Sequence, residues 1–254
     1  MNSGPVLRRV LNRFGIDVRR VPGGPEAIHA AGYDVIRPNA TYSPWRTDAR
    51  FNDTYDAIRA ATLVDRFRCY ELWKLVEQVA KLPQGALLEI GVWRGGTGGL
   101  IAKQARACGI EDKVYLCDTF TGVVKAGVRD PGYQGGEHAD TTRGLVEDLV
   151  RVRLGLDNVE ILEGIFPDET GSRVGHERFR LCHVDVDVYD SARSAVEWIW
   201  GRMVPGGVVV FDDFGFWSTR GITQYVEELG AFRDRLVFHN LNGHAVVVKL
   251  GRDG

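Results

Sequence analysis

The chain has 254 residues, of which 44% are hydrophobic and 26% are charged, and its formal net charge is -2. This is the composition of an ordinary globular protein, and the length suits one large α/β domain. The balanced charge gives no indication of nucleic acid or of an anionic membrane as a partner. No apolar run approaches the length of a membrane span.

Cysteine usage indicates a reducing compartment. The four cysteines are Cys69, Cys108, Cys117 and Cys182, and no two of them form a C-x-x-C pair. We interpret them as small buried hydrophobic residues rather than as disulfides or zinc ligands. The N-terminus is basic but has no apolar core of a signal peptide, so we expect a cytoplasmic protein.

The first 50 residues differ from the rest of the chain. Residues 7–15 predict a short basic amphipathic helix, either solvated or docked on a membrane surface or partner subunit. Prolines and glycines in residues 21–50 predict an extended, irregular segment. We therefore divide the chain into an N-terminal arm or lid at 1–50 and a main domain at 51–254.

Strands and helices alternate in the main domain. Helical spacing of apolar residues predicts one long helix over 53–81, which Pro83 and Gly85 end. We expect strands at 87–90, 114–118, 159–164, 179–188 and 208–213, and helices at 97–108, 144–154, 191–203 and 221–229. Residues 236–240 and 245–250, around Asn242-Gly243, predict a β-hairpin. The order predicts an α/β fold with a doubly wound, mostly parallel seven-stranded sheet and a C-terminal antiparallel hairpin.

A glycine-rich stretch follows the first of these strands. Gly91, Gly95 and Gly96 would let the backbone turn sharply and let a ligand approach main-chain N–H groups. The spacing is neither a phosphate loop nor the G-x-G-x-x-G of dinucleotide binders. Glu89, near the strand's carboxyl end, suits a positively charged ligand such as a sulfonium amino acid. The alternative is an ordinary strand-to-helix turn without a ligand.

Acidic residues end four of the predicted strands. They are Glu89, Asp118, the pair Asp185 and Asp187, and the pair Asp212 and Asp213. Because the carboxyl ends of parallel strands meet at one edge of a sheet, we expect a ligand cleft there. Asp118 lies 27 positions after Gly91, where a carboxylate can accept both ribose hydroxyls of an adenosine. A helix cap is the alternative.

The four aspartates at the later strand ends predict a metal site. Asp185 and Asp187 would point to the same face of a strand, with Asp212 and Asp213 at the next strand's end. Carboxylates so crowded cannot all ionise cheaply, and Mg²⁺ prefers oxygen ligands. Pairing with Arg193 or Arg220, or helix capping, is the alternative.

Other candidate residues are His138, His183, Trp93 and Trp217. His138, in a polar loop predicted over 119–142, would be a general base, a substrate contact or a surface residue. His183 lies in an apolar strand and is expected to be a satisfied core residue. The two tryptophans would stack on adenine or sugar, or belong to the core. The absence of a G-x-S-x-G elbow argues against a serine hydrolase.

Five motifs in order make residues 55–250 resemble the macrocin O-methyltransferase family. They are 88–96, 117–120, 163–167, 184–189, and 205–207 followed by Asp212-Asp213. Members of this family are class I S-adenosylmethionine enzymes that methylate sugar hydroxyls, typically on macrolides or other glycosylated products. The resemblance implies the Rossmann-like class I methyltransferase fold.

The resemblance also implies roles for individual residues. Residues 89–96 would hold the methionine part of the cofactor, Asp118 the ribose and 164–166 the adenine, with Thr62 on the preceding helix near the cofactor's carboxylate. The whole cofactor set is Thr62, Glu89, Gly91, Val92, Trp93, Gly95, Gly96, Asp118, Thr119, Phe120, Gly164, Ile165, Phe166 and Asp185. The metal ligands implied are Asp185, Asp187, Asp212 and Asp213, and which of the first two ligates stays open.

These observations lead us to expect a magnesium-dependent sugar O-methyltransferase. The acceptor hydroxyl, polarised by Mg²⁺, would lose its proton to Asp187 or His138. Methylation of a catechol or other phenol is the alternative, and a nicotinamide-dependent oxidoreductase is disfavoured by the glycine spacing. A non-enzymatic binding module is a further alternative. The expected partner is a small-molecule or oligosaccharide sugar acceptor, and the resemblance implies a homo-oligomer, a dimer or tetramer.

Overall fold

The computed structural model describes residues 31–34, 36 and 40–251. The helix predicted at 7–15 lies outside these residues. Backbone contacts divide the chain into two units, residues 1–37 and 38–254, and every helix and strand given below belongs to the second. The boundary that we place at residue 50 stays a prediction.

Six α-helices and three further helical segments of the described chain surround a sheet. After a 3₁₀ turn at Pro44–Arg46, the α-helices are α1 Ala49–Ile58, α2 Arg66–Val79, α3 Gly96–Ala107, α4 Arg143–Glu147, α5 Tyr189–Trp200 and α6 Arg220–Leu229. A π-helical segment, Asp148–Arg153, continues α4, and a second 3₁₀ turn spans Gly171–Val174. Among the described residues, no helix has both the length and the apolar character needed to cross a bilayer.

The prediction of one helix over 53–81 is wrong, because the chain breaks between α1 and α2. Asp65 caps a new helix by accepting hydrogen bonds from the backbone N–H groups of Phe67 and Arg68. The carbonyl of Ala61 accepts instead from Gly96 N, at 2.9 Å. Thr62 therefore lies in a turn against the glycine-rich loop, and not on a helix as we expected.

The described residues form seven strands, which make one sheet in the order β3-β2-β1-β4-β5-β7-β6. Their bounds are β1 Ala86–Ile90, β2 Val114–Asp118, β3 Val159–Glu163, β4 Phe179–Val184, β5 Met203–Phe211, β6 Arg235–His239 and β7 Ala245–Lys249. β1 to β5 are parallel, and β7 runs antiparallel between β5 and β6. The predicted doubly wound sheet with an antiparallel hairpin is confirmed.

Apolar side chains alternate between the two faces of the sheet and make two cores. Leu87 packs with α1, α2 and α3 on one face, whereas Leu88, its neighbour in β1, packs with α5 and α6 on the other. This is the period-two alternation of a strand that is buried on both sides. The helices on both faces leave the carboxyl ends of the strands as the open edge of the fold.

Two strands end earlier than predicted, and this changes the geometry of the aspartates. β4 ends at Val184 rather than at 188, and β5 spans Met203–Phe211 rather than 208–213. Asp187 has a φ of 63°, in the left-handed region, so the chain turns out of the sheet there. Asp185 and Asp187 therefore lie beyond the strand, and the prediction that they point to the same face of it is wrong.

Gly91 is required at the turn between β1 and α3. Its φ is 84°, and a Cβ atom on it would lie 1.7 Å from the carbonyl oxygen of Asp185. Only glycine fits this close crossing of two backbone segments. The crossing fixes the glycine-rich loop directly beside the chain that leaves β4.

Candidate functional site

A cavity of about 300 Å³ opens at the carboxyl edge of the sheet. It lies where open α/β sheets bind ligands. Predicted site residues that line it are Thr62, Gly91, Val92, Trp93, Asp118, Thr119, His138, Gly164, Phe166, Asp185, Asp187, Asp212 and Asp213. Those that do not line it are Glu89, Gly95, Gly96, Phe120 and Ile165. The structure thus brings most of the predicted set into one place.

Asp118 braces one side of the cavity. Its Oδ2 accepts hydrogen bonds from Val92 N at 2.7 Å and Trp93 N at 2.8 Å, and its Oδ1 accepts from Phe120 N at 2.6 Å. Trp93 and Phe120 both have positive φ, at 48° and 55°. The carboxylate therefore holds the glycine-rich loop in an uncommon backbone conformation, besides the ribose contact that we predict for it.

Trp93 lies at the rim of the cavity and is fixed by polar contacts. Its indole Nε1 donates to Asp140 Oδ1 at 2.8 Å, and the Arg94 guanidinium stacks 4.4 Å above its ring. The hydrogen bond from Trp93, with the charge of Arg94, lowers the pKa of the exposed Asp140 carboxyl. Trp217 does not line the cavity, although its ring lies 4.3 Å from the guanidinium of Arg220.

Glu89 is enclosed in the core rather than open to the cavity. Its side chain is 0% exposed, and Oε1 accepts from His183 Nδ1 at 2.9 Å. Its Oε2 has no hydrogen-bond partner and lies against α3, where a Cβ on Gly98 would be 2.5 Å away. Glu89 is the penultimate residue of β1, so its side chain points to a helix-covered face and not out of the edge.

Three of the four predicted metal-site aspartates come together. Asp185, Asp212 and Asp213 each offer a carboxylate oxygen, and these atoms lie within 4.8 Å of one another. Burial first, and then the neighbouring carboxylates, raise the pKa values of Asp185 and Asp213 well above the usual range. Three crowded carboxylate oxygens, two of them on groups whose pKa is raised, form a donor set that fits a hard divalent cation.

Asp187 stands beside this group rather than in it. Its backbone N–H donates to Asp213 Oδ2 at 2.9 Å, which fixes the turn after β4 to the end of β5. Tyr133 Oη donates to Asp187 Oδ1, and His138 Nε2 lies 3.9 Å from Asp187 Oδ2. Burial raises the pKa of Asp187, against the lowering effect of the Tyr133 hydrogen bond and His138. This is the environment of a carboxylate that can accept a proton.

Asp212 is anchored by residues that the sequence did not identify. Arg68 Nη1 donates to Asp212 Oδ2 and, at 3.0 Å, to its carbonyl oxygen. His244 Nε2 lies 2.9 Å from Asp212 Oδ1. Although burial alone would raise the pKa of Asp212, the two histidines, His183 and His244, and the charge of Arg68 hold it below the usual range.

The arginines considered from the sequence have other partners. Arg193 pairs with Asp190 at 3.1 Å, and Arg220 Nη1 donates to the carbonyl of Trp217. No local sequence signal marks Arg68, Tyr133 or His244, because each reaches the site from a segment distant in the chain.

His183 is a core residue, as predicted, but it is not fully satisfied. It is 0% exposed, and its Nε2 has no partner at hydrogen-bonding distance, the nearest carboxylate oxygen being Asp212 Oδ1 at 3.6 Å. Burial alone would lower its pKa, but Asp212 and Glu89 on either side raise the pKa of His183 to about 10. The imidazole therefore adds positive charge next to the aspartates.

Comparisons with known proteins agree with this geometry. Residues 33–236 match the family model described as macrocin O-methyltransferase (TylF). Over 172 residues the chain is 32% identical to 8-demethyl-8-(2,3-dimethoxy-alpha-L-rhamnosyl)-tetracenomycin-C 4'-O-methyltransferase of Streptomyces olivaceus, a match that covers 63% of this chain and 65% of that protein. Over 242 residues it is 27% identical to mycinamicin III 3''-O-methyltransferase of Micromonospora griseorubida, covering 90% of this chain and 88% of that one.

A solved structure shares the fold. The O-methyltransferase NovP has a TM-score of 0.64 at 22% sequence identity, and the likeness covers 75% of this chain and 83% of that one. At this level of identity the likeness concerns the fold alone.

Proposed function

Because the chain belongs to the macrocin O-methyltransferase family, we propose that it transfers a methyl group from S-adenosylmethionine to a sugar hydroxyl, with help from Mg²⁺. The match of residues 33–236 to the family model confirms the family predicted from the sequence motifs. One observation carries the proposal: the glycine-rich loop with Asp118 and the aspartate group with Asp187 line the same cavity. A methyl donor and an acceptor must meet within bond-forming distance, and a shared cavity supports that.

The loop side of the cavity would bind the donor. When bound, S-adenosylmethionine supplies an electrophilic methyl group attached to a sulfonium sulfur. The bond from sulfur to methyl breaks as the acceptor oxygen bonds to the methyl carbon, and S-adenosylhomocysteine is the leaving group. Gly91 lets the loop pass close beside the chain that leaves β4. Asp118 would accept the ribose hydroxyls, and Phe166, which lines the cavity, would supply an apolar surface for the adenine. Thr62 lines the cavity from the turn before α2, where we propose that it contacts the donor's carboxylate.

The opposite side would bind the metal and the acceptor. Asp185, Asp212 and Asp213 would hold Mg²⁺, which supplies Lewis-acid polarisation of the acceptor hydroxyl. Asp187 would take the hydroxyl proton onto its carboxylate, while Tyr133 and Asp213 fix that side chain and its backbone. His138, 38% exposed and 3.9 Å from Asp187 Oδ2, would be the alternative base.

The names of the relatives support a sugar as the acceptor. The first acts on a rhamnosyl-tetracenomycin and the second on mycinamicin III, as their names state. We therefore propose a deoxysugar of a glycosylated natural product, or a glycan sugar, as the acceptor class. The family match gives no support to the nicotinamide-dependent oxidoreductase.

Calorimetry and product analysis test the proposal. We expect heat on titration with S-adenosylhomocysteine, and a product one methyl group heavier when rhamnosylated polyketides are supplied with donor and Mg²⁺. A catechol in the same screen distinguishes sugar from phenol methylation. Folded protein that gives no heat with S-adenosylhomocysteine would remove the enzyme proposal, and full turnover in EDTA would remove the metal role.

Two proposals concern the setting of the enzyme. The cysteines are unpaired, with Cys69, Cys117 and Cys182 buried and Cys108 half-buried, which supports a cytoplasmic location. Leu236, Phe238 and Leu241 leave apolar surface exposed on the edge strand and its turn, which supports a homo-oligomer, a dimer or tetramer. Light scattering of the full chain and of a chain lacking residues 1–50 tests both the oligomer and the role of the arm.

A further inference from the structure

Two histidine–glutamate pairs lie behind Asp212, outside the cavity. His244 Nδ1 lies 2.9 Å from Glu71 Oε2, and its Nε2 lies 2.9 Å from Asp212 Oδ1, both hydrogen-bonding distances. His183 donates from Nδ1 to Glu89, and its Nε2 lies 3.6 Å from the same oxygen of Asp212. None of these four histidine and glutamate residues lines the cavity. The contacts of His244 therefore reach the cavity through Asp212, whose Oδ1 lies 2.9 Å from the ring nitrogen.

Asp212 needs such support because of where it lies. It is 4% exposed and shares its surroundings with the carboxylates of Asp185 and Asp213, which repel it. Arg68 holds its Oδ2, and the His244 ring holds its Oδ1. With both oxygens held, the carboxylate keeps one orientation while its neighbours stay within ligand distance.

The Glu71–His244 pair is itself fixed by the C-terminal hairpin. Besides His244, Glu71 accepts hydrogen bonds from Asn240 Nδ2 and, at 2.6 Å, from Asn242 Nδ2. The turn between β6 and β7 is closed by Asn240 N donating to the carbonyl of His244, at 2.9 Å. Three side chains of one turn thus converge on a single carboxylate of α2, which sets the position of the His244 ring.

We propose that the Glu71–His244 pair is a positioning device that holds Asp212 in the orientation needed to bind the divalent cation. This inference rests on the proposed function, because the cation site is part of it. Partners behind a metal ligand commonly change metal affinity 10- to 100-fold when they are lost. The closer pair, Glu71–His244, is expected to matter more than Glu89–His183, since its ring nitrogen is at hydrogen-bonding distance from Asp212.

Two substitutions of His244 separate positioning from packing. In His244→Gln the amide nitrogen takes the place of Nε2 and can still donate to Asp212. In His244→Asn the shorter side chain puts its amide nitrogen in the place of Nδ1, from where it can donate only to Glu71. Both substitutions remove the ring. If packing alone mattered, the loss of cation affinity would be similar in the two variants, or greater in the variant that denatures at the lower temperature.

The measurement is cation binding without turnover. Mn²⁺ as the probe is titrated into the full chain and followed by electron paramagnetic resonance, with S-adenosylhomocysteine affinity measured by calorimetry in parallel. We expect His244→Asn to weaken Mn²⁺ binding at least about tenfold and His244→Gln by no more than about threefold. The S-adenosylhomocysteine affinity should stay within about twofold in both, because the loop side of the cavity is unchanged. His176→Asn, at a histidine whose side chain is 72% exposed, is the matched control and should bind Mn²⁺ like the unaltered chain.

The outcomes distinguish this inference from the proposed function. If the unaltered chain binds no Mn²⁺, the metal role in the proposed function fails and the inference falls with it. If it binds Mn²⁺ and His244→Asn binds it equally well, or both variants lose affinity equally, only the inference is overturned. Should His244→Asn not fold, Glu71→Gln replaces it, since that side chain is 21% exposed and the change keeps its size. It should weaken Mn²⁺ binding at least about threefold, and unchanged binding would again overturn the inference.

Discussion

The two sides of the cavity are built in different ways. On the loop side, Asp118 accepts hydrogen bonds from three backbone N–H groups that follow β1 and β2, so a few local residues fix the geometry. On the aspartate side, side chains from α2, the loop after β2 and the turn before β7 converge on Asp187 and Asp212, and a backbone N–H after β4 donates to Asp213. The first side depends on backbone conformation, whereas the second depends on a balance of charges brought from distant parts of the chain.

This difference predicts that each side can be damaged without the other. A substitution of Asp185, Asp212 or Asp213 should weaken metal binding and turnover but not donor affinity. A substitution of Asp118 should weaken donor binding but not metal binding. The following substitutions test that separation.

Asp213→Asn should have the largest effect. It removes one charge from the proposed cation site and leaves one amide oxygen in place of the two carboxylate oxygens that serve the cation and the Asp187 N–H. A metal ion contributes several kcal/mol to catalysis, so turnover should fall at least about 10³-fold. The S-adenosylhomocysteine affinity, measured by calorimetry, should stay within about twofold. A large loss of that affinity would show that the two sides are not separate.

Asp118→Ala should damage the loop side. It removes a carboxylate that accepts three backbone hydrogen bonds, two of them from Val92 and Trp93 in the loop. Since hydrogen bonds to charged groups contribute about 1.5–3 kcal/mol each, we expect S-adenosylhomocysteine to bind about 100-fold more weakly. Mn²⁺ binding should not change. Glu163→Ala, at the end of the neighbouring strand, is the control and should leave the S-adenosylhomocysteine affinity within about twofold.

Tyr133→Phe tests the aspartate side without altering its charge. The hydroxyl donates to Asp187 Oδ1, and its loss leaves the proposed base less firmly oriented. We expect kcat to fall about tenfold, with the donor KM unchanged, because general acid–base catalysis contributes roughly 10²–10⁴-fold and part of it depends on alignment. The solvent-exposed Tyr42 provides Tyr42→Phe as the control. A change in donor KM with constant kcat would contradict the assignment of Tyr133 to the acceptor side.

The dependence of stability on pH should be the smallest effect. Burial raises the pKa values of Asp185 and Asp213, so in EDTA the folded state binds protons more tightly than the unfolded chain does. Their contribution to the free energy of unfolding is therefore most favourable at acid pH, and it is lost as the pH rises above about 4, the usual pKa range of carboxyl groups. The unaltered protein in EDTA should lose more of its Tm between pH 5 and pH 8 than Asp213→Asn does, a difference of a few degrees. Mg²⁺ should reduce that difference, and parallel Tm curves in EDTA would contradict it.

The loop side was largely predictable from the sequence, because its determinants are close together in the chain. The glycine spacing, the following helix and Asp118 at the next strand end sufficed to place this side at the sheet edge. Glu89 was misplaced relative to the cavity because a strand buried on both faces directs every second side chain under a helix. The break before Thr62 was missed, since the Asp65 cap stands within an otherwise helical pattern.

The aspartate side was only partly predictable. Acids at strand ends indicated where Asp185, Asp212 and Asp213 would meet. The left-handed turn at Asp187 and the long-range partners Arg68, Tyr133 and His244 have no periodic or local signature. Their positions follow from the packing of α2 and the C-terminal hairpin against the sheet, which is fixed only once the whole chain has folded.

The proposed function requires the donor and the cation to occupy one cavity. Nuclear magnetic relaxation of bound S-adenosylhomocysteine measures this directly, because Mn²⁺ at the aspartate group would relax nearby protons strongly. We predict fast relaxation of its protons that are nearest the sulfur when Mn²⁺ is added, and loss of the effect in Asp213→Asn. Tight binding of both ligands without any relaxation of the S-adenosylhomocysteine protons would contradict the account.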